Sequence, residues 1–153
     1  MKTVRAFGYG SQIAVASNMS FVEVWNAATS GKTVKVTRIE INSKDTAVSL
    51  WNHTAQQGAA GTAGVKQNKL LGGVAPSVAI YGEDILTTVL GTKMYTVTTV
   101  ADTVKVIDCE DSPIVINPGM ALIVANDTVN LAMTRVSVTF HEIELLRRRV
   151  RHG

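Results

Sequence analysis

Hydrophobic and polar residues alternate along this chain in short runs that are separated by turn-forming residues. Alternation with a period of two is typical of β-strands that bury one face. Nine such runs predict an all-β, antiparallel fold of the sandwich or barrel kind. The runs are QIAVA (12–16), FVEVW (21–25), TVKVTRIEI (33–41), AVSLW (47–51), MYTVTTV (94–100), TVKVI (103–107), PIVI (113–116), MALIVA (120–125) and LAMTRVSVTFHEI (131–143).

The run from 33 to 41 changes phase in its middle. Val34 and Val36 share one parity, whereas Ile39 and Ile41 share the other. A β-bulge near Thr37-Arg38 would return all four side chains to the core. We therefore predict a bulge at this position.

Two late runs predict which faces are buried. In the last run Val136, Val138 and Phe140 share one side, which is typical of a half-buried antiparallel strand. MALIVA (120–125) is apolar on both parities. It predicts a central strand with the other sheet on one face and a subunit or a loop on the other.

Two segments lack this alternation. Residues 55–75 contain five of the twelve glycines and predict a long flexible loop, either an arm that orders against a neighbour or a mobile surface excursion. Residues 77–91 allow a short helix in their second half. A chain of 153 residues fits one domain. We divide it into an N-terminal arm or first strand (1–20), a β-sandwich domain (21–146) and a basic C-terminal tail (147–153).

The positive charge of the chain belongs to its tail. Fifteen basic residues stand against twelve acidic ones, and four of the basic residues are Arg147, Arg148, Arg149 and Arg151. No aromatic residue separates these arginines, so an acidic patch on a protein explains them at least as well as nucleic acid does. We expect a protein partner and no direct nucleic-acid binding; a solvated tail is the remaining alternative.

Cysteine use and hydropathy indicate the cellular compartment in which the chain folds. Cys109 is the single cysteine, so no disulfide can form within the chain. No apolar stretch of about 18 residues and no signal-peptide pattern occurs in the sequence. We expect synthesis and folding in the cytoplasm and no contact with a membrane.

Catalytic motifs are incomplete. Residues 30–33 (SGKT) match the end of a phosphate-binding loop, but the leading glycine is replaced by Asn26. His141-Glu142 begins a zinc-protease motif whose second histidine is replaced by Leu145. Cys109 has acidic neighbours, which raise a thiol pKa. We expect no catalytic site, no cofactor and an inert cysteine at a strand end.

Metal ligands are also sparse. A cupin would need several converging ligands, and the only histidines are His53, His141 and His152. The acidic cluster at 108–111 (DCED) lacks the spaced oxygen ligands of a calcium loop. We expect no metal site.

Three aromatic residues are candidates for sugar stacking. Trp25 and Trp51 end two predicted strands, and Tyr81 follows further along the chain. Exposed together, their rings could stack on apolar sugar faces. Packed under the ends of the sandwich, they would only fill the core.

Two blocks of the sequence carry a family resemblance. KTVKVTRIEINSKDTAVSLWN (32–52) and SPIVINPGMALIVANDTVNLAMTRVSVTFHEIE (112–144) resemble the small jelly-roll structural proteins of tailed-phage virions. In those proteins an R-I-x-I strand comes early, and a P-G-x-x-L-x-V segment precedes a final T-V-x-V-T-x-x-E strand. The corresponding residues here are Pro118, Gly119, Leu122, Val124, Val136, Val138, Thr139 and Glu142.

The resemblance implies a capsid decoration, or cement, protein without a catalytic site. Its fold would be a jelly-roll sandwich of about eight or nine strands, and its partner the major capsid protein on the outside of the virion. A homo-trimer is expected, with a dimer as the alternative. The family pattern lacks the arginine tail, whose role as a capsid contact is a separate inference. Alternatives are a head-fibre base or tail component and a carbohydrate-binding module.

Overall fold

The computed structural model describes residues 2–10, 20–42, 46–56, 65–68, 78–81, 91–101, 103–127 and 134–145. Regular structure in these residues is entirely β-strand, which confirms the all-β prediction. The described strands are β1 (Lys2–Gly10), β2 (Ser20–Asn26), β3 (Lys32–Asn42), β4 (Thr46–His53), β5 (Val65–Asn68), β6 (Ala79–Tyr81), β7 (Thr92–Thr99), β8 (Val104–Asp108), β9 (Ile114–Ile116), β10 (Met120–Asn126) and β11 (Thr134–Glu144).

These strands form two antiparallel sheets. The first sheet has the order β5-β1-β11-β3-β8, and β9 also pairs with β3. The second sheet has the order β6-β2-β10-β4-β7. Alternate residues of both sheets, among them Val36, Phe140 and Leu122, belong to one buried apolar cluster. The two sheets therefore share one core.

The predicted bulge in β3 is confirmed. Arg38 pairs with Thr139 and Val36 with Phe140, so Thr37 is an extra residue on β3. Val34, Val36, Ile39 and Ile41 are all 0% exposed and lie in the same core cluster. The bulge reverses the parity of the strand, which is why both apolar pairs reach the core.

The predicted core faces of the two late strands and the central place of β10 are confirmed, but the outer face of β10 is covered by Trp25 and Trp51 of its neighbouring strands and not by the predicted subunit or loop. Strand β10 lies between β2 and β4, at the centre of the second sheet. Its Leu122 and Val124 face the core, whereas Ala121, Ile123 and Ala125 form a second buried cluster on the outer face. In β11, Val136, Val138 and Phe140 are all in the core.

Other sequence predictions need correction. The described residues contain eleven strands rather than eight or nine, because the alternating pattern missed β1, β5 and β6. Strand β5 lies inside residues 55–75, which were predicted to be a loop. The predicted strand at 12–16 and the second half of the predicted helix, apart from Gly91, lie outside the described residues.

Candidate functional site

The aromatic candidates lie on the outer face of the second sheet. Trp25 in β2 pairs with Ala121, and Trp51 in β4 pairs with Ile123, so the two tryptophans flank β10. Both indoles are half-buried and pack against the outer cluster of β10. The two indoles therefore cover the outward side chains of the central strand β10 and do not fill the core between the sheets. Tyr81 is brought near β2 through its backbone pairing with Glu23.

A polar network covers one of these indoles. The ammonium of Lys93 lies 4.9 Å from the ring centre of Trp51 and 3.0 Å from both carboxylate oxygens of Asp127. Asp127 Oδ2 also accepts a hydrogen bond from Ser49 Oγ at 2.6 Å, and Ser49 Oγ lies 2.8 Å from Thr96 Oγ1. A cation over the ring is attracted by its π-electrons. One face of Trp51 is therefore already occupied.

The two histidines of the β-domain lie in different sheets. His53 ends β4 in the second sheet, where its Nδ1 accepts a hydrogen bond from the Ala55 N–H at 2.9 Å. His141 lies in β11 of the first sheet and pairs with Lys35. These positions keep the two imidazoles from converging on one ion. Among the described residues, no three His, Cys, Asp or Glu side chains form a group that could hold a metal.

The cysteine lies just after β8, at a strand end as predicted. Its N–H donates to the carbonyl of Thr37 at 2.8 Å. Burial raises the pKa of the Cys109 thiol, and the negative charge of Asp108 raises that pKa further. Sequence reasoning anticipated only the acidic contribution. A raised pKa lowers the thiolate fraction near neutral pH, so the thiol is a poor nucleophile.

Exposed large hydrophobic residues are concentrated on a few strands at the borders of the two sheets. Seven large hydrophobic side chains are exposed among the described residues, and six of them belong to β7, β8, β9 or the β7–β8 turn. We call these six residues the apolar edge. They are Met94, Tyr95, Val100, Val104, Val106 and Val115.

The apolar edge is built from two border strands that a tight turn joins. Strand β7 borders the second sheet and β8 borders the first. In the turn, the Thr103 N–H and hydroxyl both donate to the carbonyl of Val100, at 3.2 and 2.8 Å. The turn therefore places the end of β7 next to the start of β8, each at the border of its own sheet.

A small cleft adjoins the apolar edge. It has a volume of about 50 Å³ and lies where β9 and β10 approach β4 and β7. Its lining includes Met94, Val115, Met120 and Leu122, together with Asn52. The cleft has room for little more than one small side chain, so it extends the apolar edge rather than forming a separate ligand site.

Sequence reasoning missed the apolar edge. Residues 94–100 and 103–107 were predicted as strands, but their mixed patterns did not indicate that these two strands border their sheets. The four tail arginines proposed as partner contacts lie outside the described residues. The described residues contain no helix that is long and apolar enough to cross a membrane. Comparisons with protein-family models, curated proteins and solved structures find no match to this chain.

Proposed function

We propose that this chain is a virion structural protein that decorates a phage capsid by binding across junctions between major capsid proteins. The observation that supports this proposal best is the strand order. Eight strands remain when β5, β6 and β9 are set aside, and these eight form two sheets of four, β1-β11-β3-β8 and β2-β10-β4-β7. Jelly rolls, which are frequent in viral capsid proteins, have eight strands in two such sheets.

The pairing of these eight strands follows the jelly-roll rule. The first strand pairs with the eighth (β1 with β11) and the second with the seventh (β2 with β10). The third pairs with the sixth (β3 with β8) and the fourth with the fifth (β4 with β7). A long hairpin folded over on itself gives this set of pairs. The finer fold proposal is therefore a jelly roll with three additional short strands.

The two sequence blocks that carry the family resemblance are neighbours in space. Strand β3, from the first block, pairs with β9 and β11 from the second. Strand β4, also from the first block, pairs with β10 from the second. The resemblance thus maps onto the centre of both sheets. This supports a common scaffold but leaves the binding surface to other parts of the chain.

Binding would use surfaces rather than reactive groups. On this proposal Arg147, Arg148, Arg149 and Arg151 pair with acidic groups of the capsid, where guanidinium and carboxylate form charge-assisted hydrogen bonds. Protein surface buried across a capsomer junction raises the free energy needed to separate the capsomers. The chain would act as a mechanical clamp on a shell that is under outward pressure.

Binding to expanded capsids tests this function. The full chain should bind in a fixed ratio near one copy per capsid subunit, and the double variant Arg148→Gln, Arg149→Gln should bind more weakly. Lys35→Gln with Arg135→Gln is the matched control, since it removes two exposed positive charges from the body of the first sheet. If both variants lost capsid binding equally, the tail arginines would contribute only to the overall positive charge and would not form specific contacts. Binding at one vertex would indicate a tail or head-fibre component, and no binding would refute the proposal.

A carbohydrate-binding module is the second candidate, favoured by the outward position of Trp25 and Trp51. Jelly rolls also occur in lectins. If sugars stack on these rings, binding should quench tryptophan fluorescence, and Trp25→Ala should weaken the effect. Lys93→Ala should strengthen sugar binding, because it removes the side chain that covers one face of Trp51. A glycan array without a hit would exclude this candidate.

A further inference from the structure

We draw no further inference here: the strongest candidate, the exposed apolar edge on β7, β8 and β9, carries nothing because nothing in the structure shows what covers it.

Discussion

The carboxylate of Glu142 accepts a hydrogen bond from the backbone N–H of Val78 at 2.9 Å, although the two residues are far apart in sequence. Both are buried, and the second carboxylate oxygen lies 3.4 Å from Lys32 Nζ. One acidic side chain in β11 thereby holds the start of the β6 segment and the start of β3. A buried donor that loses its acceptor is costly to the fold.

Removing this carboxylate should destabilise the protein. We expect Glu142→Ala to lower the free energy of unfolding by about 2 kcal/mol, since it leaves the Val78 N–H buried without its acceptor. Glu142→Gln keeps an oxygen acceptor for the Val78 N–H and loses the ion pair with Lys32, so its free energy of unfolding should fall by less. Urea denaturation of the three proteins measures both effects. Equal losses would mean that the ion pair, and not the hydrogen bond, is the stabilising contact.

Asn26 gives a second prediction. Its side chain is 0% exposed, and its Nδ2 donates to the carbonyls of Lys32 at 2.8 Å and Ile116 at 3.0 Å. Asn26→Asp keeps the shape but turns an acceptor toward both carbonyls. We expect a loss of about 3–5 kcal/mol at neutral pH, as for other unpaired buried charges.

The deficit of Asn26→Asp should depend on pH. Only the protonated acid keeps a donor, and burial among carbonyls raises the pKa of the new side chain above its unfolded value. The variant should therefore approach wild-type stability as the pH falls and lose it as the pH rises. Denaturation midpoints from pH 4 to pH 8 would show this trend, and a pH-independent deficit would contradict it.

The reactivity of Cys109 can be predicted from its raised pKa. Alkylation by iodoacetamide should reach half its maximal rate at a higher pH than in a free peptide, because the thiolate reacts. Asp108→Asn should lower the midpoint only partly, since burial is the larger cause of the shift. The protonated thiol contributes to stability below the pKa that Cys109 has in the unfolded chain. This contribution is lost as the pH rises through the higher pKa of the folded protein. A midpoint at the free-peptide value would refute the burial argument.

Deleting Thr37 tests the bulge in β3. Without this residue, Ile39 and Ile41 would take the parity that faces solvent, or β3 would shift its register on β11. We expect the deletion variant to lose cooperative unfolding. Thr37→Val keeps the residue count, so it should fold with a change below about 1 kcal/mol. A cooperatively folding deletion variant would show that the extra residue is dispensable.

The sequence could predict features that depend on local periodicity. The bulge follows from the phase change between Val36 and Ile39, and the central place of β10 follows from its unbroken apolar run. Strand β5 escaped prediction because VKQN has a single apolar residue and joins the sheet through backbone pairing with β1. One apolar residue in four is too few to show alternation, and backbone pairing itself requires no pattern of apolar and polar side chains.

The candidate site was less predictable for a related reason. Trp51, Lys93 and Asp127 come from three separate segments, and only the pairing of β4 with β7 and β10 brings those segments together. The apolar edge likewise depends on which strands end the sheets. Such neighbour relations are set by long-range topology, which local hydrophobic periodicity does not reveal.

The pairing of β1 with β11 has a consequence for how the chain acquires its structure. Lys2 lies opposite Glu142, so the first sheet cannot be completed before β11 has been synthesised. Contacts between residues so distant in sequence make folding slow, because the entropy of closing a large loop is lost before the contacts stabilise the chain. Until β11 has emerged from the ribosome, β1 can pair, among the described strands, only with β5. We expect the pairing of β11 with β1 to be a slow step in folding.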